Sequence, residues 1–314
     1  MNAAYRQLYL FQQLLSDHLL VKQQLADQFG VDPRAIQRDF HQLKTFIADQ
    51  HLPYQLRYRR KLGGYQLVAH ADSISKPLIL TIVKILLASR ALTQAEMATT
   101  INGLLRLVPQ RDQRDIQPII SNERLYYQPV HHGQPLLQRI WELSQLIPRQ
   151  MAITINYHNR HHVVEDRTIL PQAVIFSEYY FYLVAYTPRY QAVRYYRIDR
   201  ISDYHRSPEK ITRNRAQRVE EGHLRHYLQY MQPGDQVALQ FEFFGIIEAA
   251  LDRFPTAKVL KRYPDGHVLI EAETIDTGAQ MWLLSQGPLV KVVAPASLVA
   301  KIQASLRASL DRYH

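Results

Sequence analysis

The sequence predicts an α+β protein of several domains, and three observations carry that expectation. The chain has 314 residues, more than one ordinary core organises, so two or three domains follow. Hydrophobic spacing is helical over residues 73 to 148 and changes to period two from Met151, which marks a switch from helices to strands. After Pro233-Gly234 the order strand, helix, strand, strand, helix, strand closes the chain, and that order is the ferredoxin-like plan.

The first helix is read over Tyr5 to Ser16, with Leu8, Phe11 and Leu15 at helical spacing. A second follows, with Leu20, Leu25 and Phe29 inward. Gly30 supplies the backbone freedom of a turn, Asp32 an N-cap and Pro33 a first helical residue, so a third helix starts there. Ile36, Phe40, Leu43 and Ile47 recur at spacings of four, three and four and form one buried stripe. Arg34, Gln37, Arg38, His41 and Lys44 lie outside it. Arg and Gln offer paired hydrogen bonds to guanine and adenine edges, so a second helix exposing them beyond a tight turn is the pattern of a helix-turn-helix in a major groove. Tyr54 to Val68 reads as a β-hairpin wing around a tight Gly63-Gly64 turn. Arg57, Arg59, Arg60 and Lys61 near its tip would grip phosphates; a solvated charged hairpin is the alternative.

Residues 73 to 148 read as a helical connector and candidate dimer surface, with Ile79, Ile82, Val83, Leu86 and Leu87 on one face. Pro109, Pro118, Pro129 and Pro135 are expected to break its middle into short pieces. Its last helix carries Leu136, Leu137, Ile140, Leu143, Leu146 and Ile147. From Met151, short strands include Ile153 and Ile155, Val163 to Leu170, Ala173 to Phe176, Tyr179 to Tyr186 and Val193 to Ile201, about five in all, a count that suits a small barrel. Thr212 to Gln232 reads as a charged, partly helical linker. The last domain is read as strand Val237 to Phe244, helix Ile246 to Phe254, strand Ala257 to Arg262 and strand Val268 to Thr274, then helix Gly278 to Ser285, strand Val290 to Val293 and helix Ser297 to Tyr313.

The formal net charge is +10 and the pI about 9.6, which favours a polyanionic partner. Residues 1 to 70 hold nine Lys or Arg against five Asp and no Glu, a balance of +4, whereas residues 235 to 314 hold eight against nine, a balance of −1. With no cysteine, disulfides, thiolate nucleophiles and thiolate zinc sites are excluded, and a reducing cytoplasm fits. Leu78 to Leu92 is the most apolar run, but it is short for a membrane span and interrupted by Lys84 and Arg90. No membrane partner is expected, and the N-terminus reads as no signal peptide.

Several motifs carry little. His131-His132 and His161-His162 lack a third ligand, since neighbours on a strand point apart, and no metal or other cofactor is expected. Ser73 to Lys76 matches Ser-x-x-Lys without its companion motifs. Glu220-Glu221 reads as a solvated charge, and Met281 and Trp282 as core. No P-loop, dinucleotide fingerprint, nucleophile elbow or carboxylate pair occurs, so an enzyme is disfavoured.

Specific residues carry a resemblance. Asp32, Arg34, Ile36, Arg38 and Asp39 follow one pattern, and Gly63, Gly64 and Tyr65 a second. Phe181, Tyr182 and Leu183 stand where a Trp-Tyr-Leu would, ahead of Arg194, Tyr196, Arg197, Asp199, Arg200 and Ile201. MWLLSQGPLVKVVAP runs from Met281 to Pro295. On these, nearly the whole chain resembles the WYL-domain transcriptional regulators of bacteria. The resemblance implies a winged helix-turn-helix over 1–70, a helical connector and dimerisation region over 71–150, a small Sm/SH3-like β-barrel (WYL) sensing a ligand over 151–211, a linker over 212–234 and a ferredoxin-like WCX domain over 235–314. It implies a cytoplasmic homodimer that binds double-stranded promoter DNA. Ala35 and Gln37 replace a hydroxyl residue and a Tyr of relatives, and Phe181 lacks the indole donor of Trp.

Alternate strand residues share a face, so Arg194 and Tyr196 should point one way and Tyr195, Arg197 and Asp199 the other. Arginine forks bind phosphate or carboxylate and tyrosine rings stack on bases, so the effector expected is a nucleotide, a short single-stranded nucleic acid or another anion. The resemblance assigns ligand contact to Arg194, Tyr196, Arg197 and Arg200, with Tyr157, Arg167 and Tyr182 as further candidates. Against this stands a structural reading in which Asp199 pairs with an arginine and the tyrosines fill core. The competing function is an RNA- or single-strand-binding accessory protein that uses the barrel as its main surface.

Overall fold

The computed structural model describes residues 2–52, 54–69, 74–159, 163–211 and 226–313. The chain divides into two compact units, Met1–His131 and His132–His314.

In the first unit, α1 (Ala3–Leu15), α2 (Lys22–Phe29), α3 (Pro33–Asp49) and the hairpin of β1 (Tyr54–Arg59) and β2 (Gly64–Ala69) share one core around Leu10, Leu25, Ile36, Phe40 and Leu56. α3 starts as its sequence requires: the Asp32 side chain accepts from the Arg34 N–H at 2.7 Å, Pro33 follows it, and Gly30 sits in the left-handed region at φ 61°. Two details differ from expectation. The face of α1 that goes inward carries Arg6, Leu10 and Leu14, while Leu8 and Leu15 stay exposed. Both stripes are apolar, and the buried one is chosen because Arg6, on the same side four residues ahead of Leu10, meets a buried carboxylate. Leu20 lies before α2 and forms an antiparallel bridge with Tyr65, each N–H donating to the other carbonyl at 2.9 and 2.8 Å.

The β1–β2 turn is looser than a two-glycine turn. Arg60, Lys61, Leu62 and Gly63 connect the strands, the Leu62 and Gly63 N–H groups donate to the Arg59 carbonyl, and only Gly63 has positive φ, at 67°. Gly64 belongs to β2, where a Cβ would stand 2.7 Å from Leu19 Cγ and 3.0 Å from the Leu20 carbonyl oxygen. Close approach, and not the turn, requires glycine there.

Three helices complete this unit: α4 (Lys76–Ser89), α5 (Gln94–Leu105) and α6 (Gln110–Leu125). Thr93 and Glu96 form a reciprocal capping box at the start of α5. Lys76 pairs with Asp112 and Asp115, and Lys84 with Glu123, along the α4–α6 seam. Pro118 was expected to end a helix, yet α6 runs through it. Pro118 and Arg114, whose carbonyl loses its partner, face solvent, while Ile116 and Ile120 on the other side are buried and hold the helix together.

The second unit begins with α7 (Leu137–Leu146), which packs on a five-stranded antiparallel sheet: β3 (Ile153–His158), β4 (Val164–Ser177), β5 (Tyr180–Thr187), β6 (Ala192–Arg197) and β7 (Ile201–Arg206). Expected in the connector, α7 instead places Leu143 in one buried cluster with Ile153, Ile155, Ile169 and Leu183. The strand order is β6-β5-β4-β3-β7. The five strands are therefore an open sheet and not the closed barrel of the sequence reading. Residues Ile198–Arg200 carry the chain from one edge to the other in a 3-10 turn, in which the Ile201 N–H donates to the Ile198 carbonyl. β4 shifts register between Pro171 and Ala173, which bends a strand serving both halves.

After the linker, β8 (Gln236–Phe243), α8 (Ile247–Arg253), β9 (Lys258–Arg262), β10 (Val268–Ile275), α9 (Asp276–Ser285), β11 (Val290–Ala294) and α10 (Ala296–Leu310) follow the predicted element order. Their sheet runs β11-β8-β10-β9, around Phe241, Phe243, Phe254 and Trp282. Ser73, His161, His162, Glu220, Glu221 and most of the linker (212–225) lie outside the described residues. Among the described residues no group of His, Cys, Asp or Glu could hold a metal, and no helix is long and apolar enough to cross a membrane.

Candidate nucleic-acid and ligand surfaces

An α-helix turns about 100° per residue. On α3 this sets Arg34, Gln37, Arg38, His41 and Lys44 within a sector of roughly 120°, opposite Ile36, Phe40, Leu43 and Ile47, and all five are exposed. The β1–β2 hairpin adds Arg57, Arg59, Arg60 and Lys61, also exposed; Arg57 donates to Gln55 Oε1 at 2.7 Å. Leu56, between Gln55 and Arg57, faces the core, so alternation along β1 turns Gln55, Arg57 and Arg59 outward together. The helix and the hairpin meet at Tyr65, whose ring stacks on Phe40 at 4.1 Å and whose hydroxyl lies 3.1 Å from both Nε2 and Oε1 of Gln37.

On the five-stranded sheet, Tyr190 stands at the centre of three guanidinium groups: Arg194 at 5.0 Å from its ring centroid, Arg189 at 5.7 Å and Arg167 at 5.8 Å. Arg167 bonds Glu165, and its Nη1 is buried with no hydrogen-bond partner among the described residues. A buried, unpaired guanidinium N–H is costly, and an anion seated here would satisfy it. Tyr196 lies beneath, buried, sharing a 2.8 Å hydrogen bond with Thr187 and meeting Tyr157 edge-on at 5.1 Å. Tyr157 Oη accepts from the Arg197 N–H at 3.3 Å. Burial pushes the Tyr157 phenol up, against the pull of Arg197 and Arg200 beside it.

The other face carries a second group. Arg197 is bonded through Nε and Nη2 to both oxygens of Asp199, at 3.1 and 2.7 Å, and lies over the Tyr180 ring at 3.4 Å. Tyr182, its register partner, packs with Val193 and Tyr195 on Ala173, Ile175, Val184 and Met231. Burial raises the Tyr182 phenol, with the Arg197 charge opposing.

The WYL domain family model matches residues 140–206, and the WCX domain model residues 235–310. The chain carries a WYL domain followed by a WCX domain. Among solved structures it is similar to proteasome accessory factor B/C (PafBC) of Arthrobacter aurescens, at 18% identity and TM-score 0.33, over 98% of this chain and 48% of that one. It thus spans about half the length of the PafBC chain. It is also similar to a protein titled a CRISPR Cas-related protein, at 14% identity and TM-score 0.37, over 90% of this chain and 74% of that one. No curated protein matches.

The WYL sheet sorts the candidate ligand residues into two sets. Arg167 and Arg194 converge on Tyr190, with Tyr196, Tyr157 and Arg200 below or beside them; Arg197 and Tyr182 belong to the opposite face. Tyr196 is too buried to offer a stacking surface. Tyr190 and Arg189 were missed by sequence reasoning because they sit in a short 3-10 turn, Pro188–Tyr190, outside the strand alternation. The Pro-Arg-Tyr triplet between two aromatic strands was the available signal.

Proposed function

We propose that this protein is a ligand-responsive, DNA-binding transcriptional regulator: a winged helix at 1–70 binds promoter duplex, and the WYL sheet binds an anionic effector, a nucleotide or short single strand. The protein is read as a cytoplasmic homodimer and a binding protein, without catalysis. One observation carries the reading. Five polar and cationic side chains occupy the exposed face of α3, and the wing beside it adds four cations. Arg34 and Arg38 suit guanine edges, Lys44 and the wing cations suit phosphates, and Tyr190 with its arginines suits a phosphate next to a base.

The test is enrichment from a random duplex pool by the full chain at low salt, followed by titration at rising salt. Enrichment with a log–log slope of about −0.9 per neutralised phosphate is expected; absence of any enriched duplex would end the reading. The second reading, a single-strand or RNA-binding accessory protein, draws on the unpaired Arg167 Nη1 beside the exposed Tyr190. Competition between duplex DNA and single-stranded RNA separates the two.

A further inference from the structure

Resting on the proposal that α3 reads duplex DNA, we infer that the Tyr65 hydroxyl masks the base-reading edge of Gln37, so that this glutamine is withheld from adenine in the wild-type protein. Glutamine reads adenine with two atoms at once, Oε1 accepting from the N6 amine and Nε2 donating to N7. Both atoms must face the base from the same end of the amide. In this structure that end is occupied: the Tyr65 oxygen is 3.1 Å from Nε2 and 3.1 Å from Oε1. A hydroxyl has one hydrogen and two lone pairs, so it accepts from the amide or donates to it, and in either arrangement it stands where the base would.

The mask is firmly placed. Tyr65 stacks on buried Phe40 at 4.1 Å, meets Tyr58 edge-on at 5.1 Å, and is pinned through its backbone to Leu20. Gln37 is exposed, and both polar atoms of its amide meet this hydroxyl. The protein therefore reads its site mainly through Arg34, Arg38 and His41, and the position opposite Gln37 tolerates any base.

Tyr65→Phe keeps the ring and its stacking and removes only the hydroxyl. In selection from a random duplex pool, full-length Tyr65→Phe gains a preference for adenine of about fivefold or more at one position, the range of a bidentate base contact. The double variant Tyr65→Phe/Gln37→Ala returns to the wild-type sequence profile. Duplex binding with the same profile in wild type and Tyr65→Phe overturns the inference alone, as does an adenine preference already present in wild type and lost with the hydroxyl. If neither protein enriches any duplex, the DNA reading falls and the mask with it. Circular dichroism of Tyr65→Phe identical to wild type assigns a changed profile to the hydroxyl and not to the fold.

Discussion

Arg6 Nε donates to Asp39 Oδ2 at 2.8 Å across α1 and α3, with the two side chains only 9% and 3% exposed. Gln7 Nε2 adds a bond to Oδ1 at 3.0 Å. Asp39 thus fastens the first helix to the back of the helix that presents Arg34 and Arg38. In sequence Asp39 stands beside Arg38 in the pattern that carries the resemblance, and the structure turns Arg38 outward and Asp39 inward.

Removing one member of a buried ion pair takes its partner's charge compensation away, at a cost of about 3–5 kcal/mol. Asp39→Ala is expected to destabilise the first three helices by about that amount, read as a lower denaturant midpoint. Asp39→Asn, which keeps one acceptor, should lose less. Urea titration of the two variants checks both the size and the order.

Arg38→Ala should weaken duplex binding by about 1–3 kcal/mol if it meets a base edge. Lys44→Ala should instead weaken all sequences alike and lower the salt slope by about 0.9. Anisotropy titrations on the selected duplex and on a scrambled one, at several salt concentrations, distinguish the two roles.

Arg194→Ala removes one of the three guanidinium groups around Tyr190. The variant is expected to bind duplex DNA as wild type does and to lose its response to a nucleotide or short single-strand effector. A ligand that binds two arrangements equally shifts neither, so the readout is the change in duplex affinity on adding effector. A normal response in Arg194→Ala would remove Arg194 from the site.

Asp276 supplies a pH dependence. Burial alone would raise its carboxyl, but bonds from Lys301 and from the Thr277 and Asp235 N–H groups outweigh burial and hold it below the usual range. A carboxyl with a lowered folded pKa stabilises the fold fully above its unfolded pKa of about 3.9 and loses that contribution as pH falls through the folded value. The last domain should therefore weaken steadily below pH 4 or so. Asp276→Asn should lower thermal stability at neutral pH and flatten that acid limb, measured by melting from pH 7 to pH 2.

Much of this architecture was legible. Asp32-Pro33 and the Ile36, Phe40, Leu43, Ile47 spacing located α3 correctly because capping and periodicity are local signals. The element order of the last domain was equally plain. What escaped depended on partners distant in sequence. Nothing around Leu8 shows that Arg6 will meet Asp39 and so decide which stripe of α1 is buried. Pro118 survives in α6 because of packing on its opposite side, and α7 joins the sheet through Leu143 and not through its neighbours in the chain. Strand count alone could not separate a curled open sheet from a closed one. Tyr190 was hidden because period-two reasoning covers strands and stops at their ends.

The crowding at Gly64 bears on how such a protein can be re-engineered. With Leu19 and the Leu20 carbonyl pressed against that α-carbon, the hairpin is seated on the segment ahead of α2. Exchanging the tip residues 60–62 leaves this seat untouched, so libraries that keep Gly63 for its positive φ can vary the cationic content of the tip. Transplanting the whole hairpin from another protein requires that residues 16–21 travel with it.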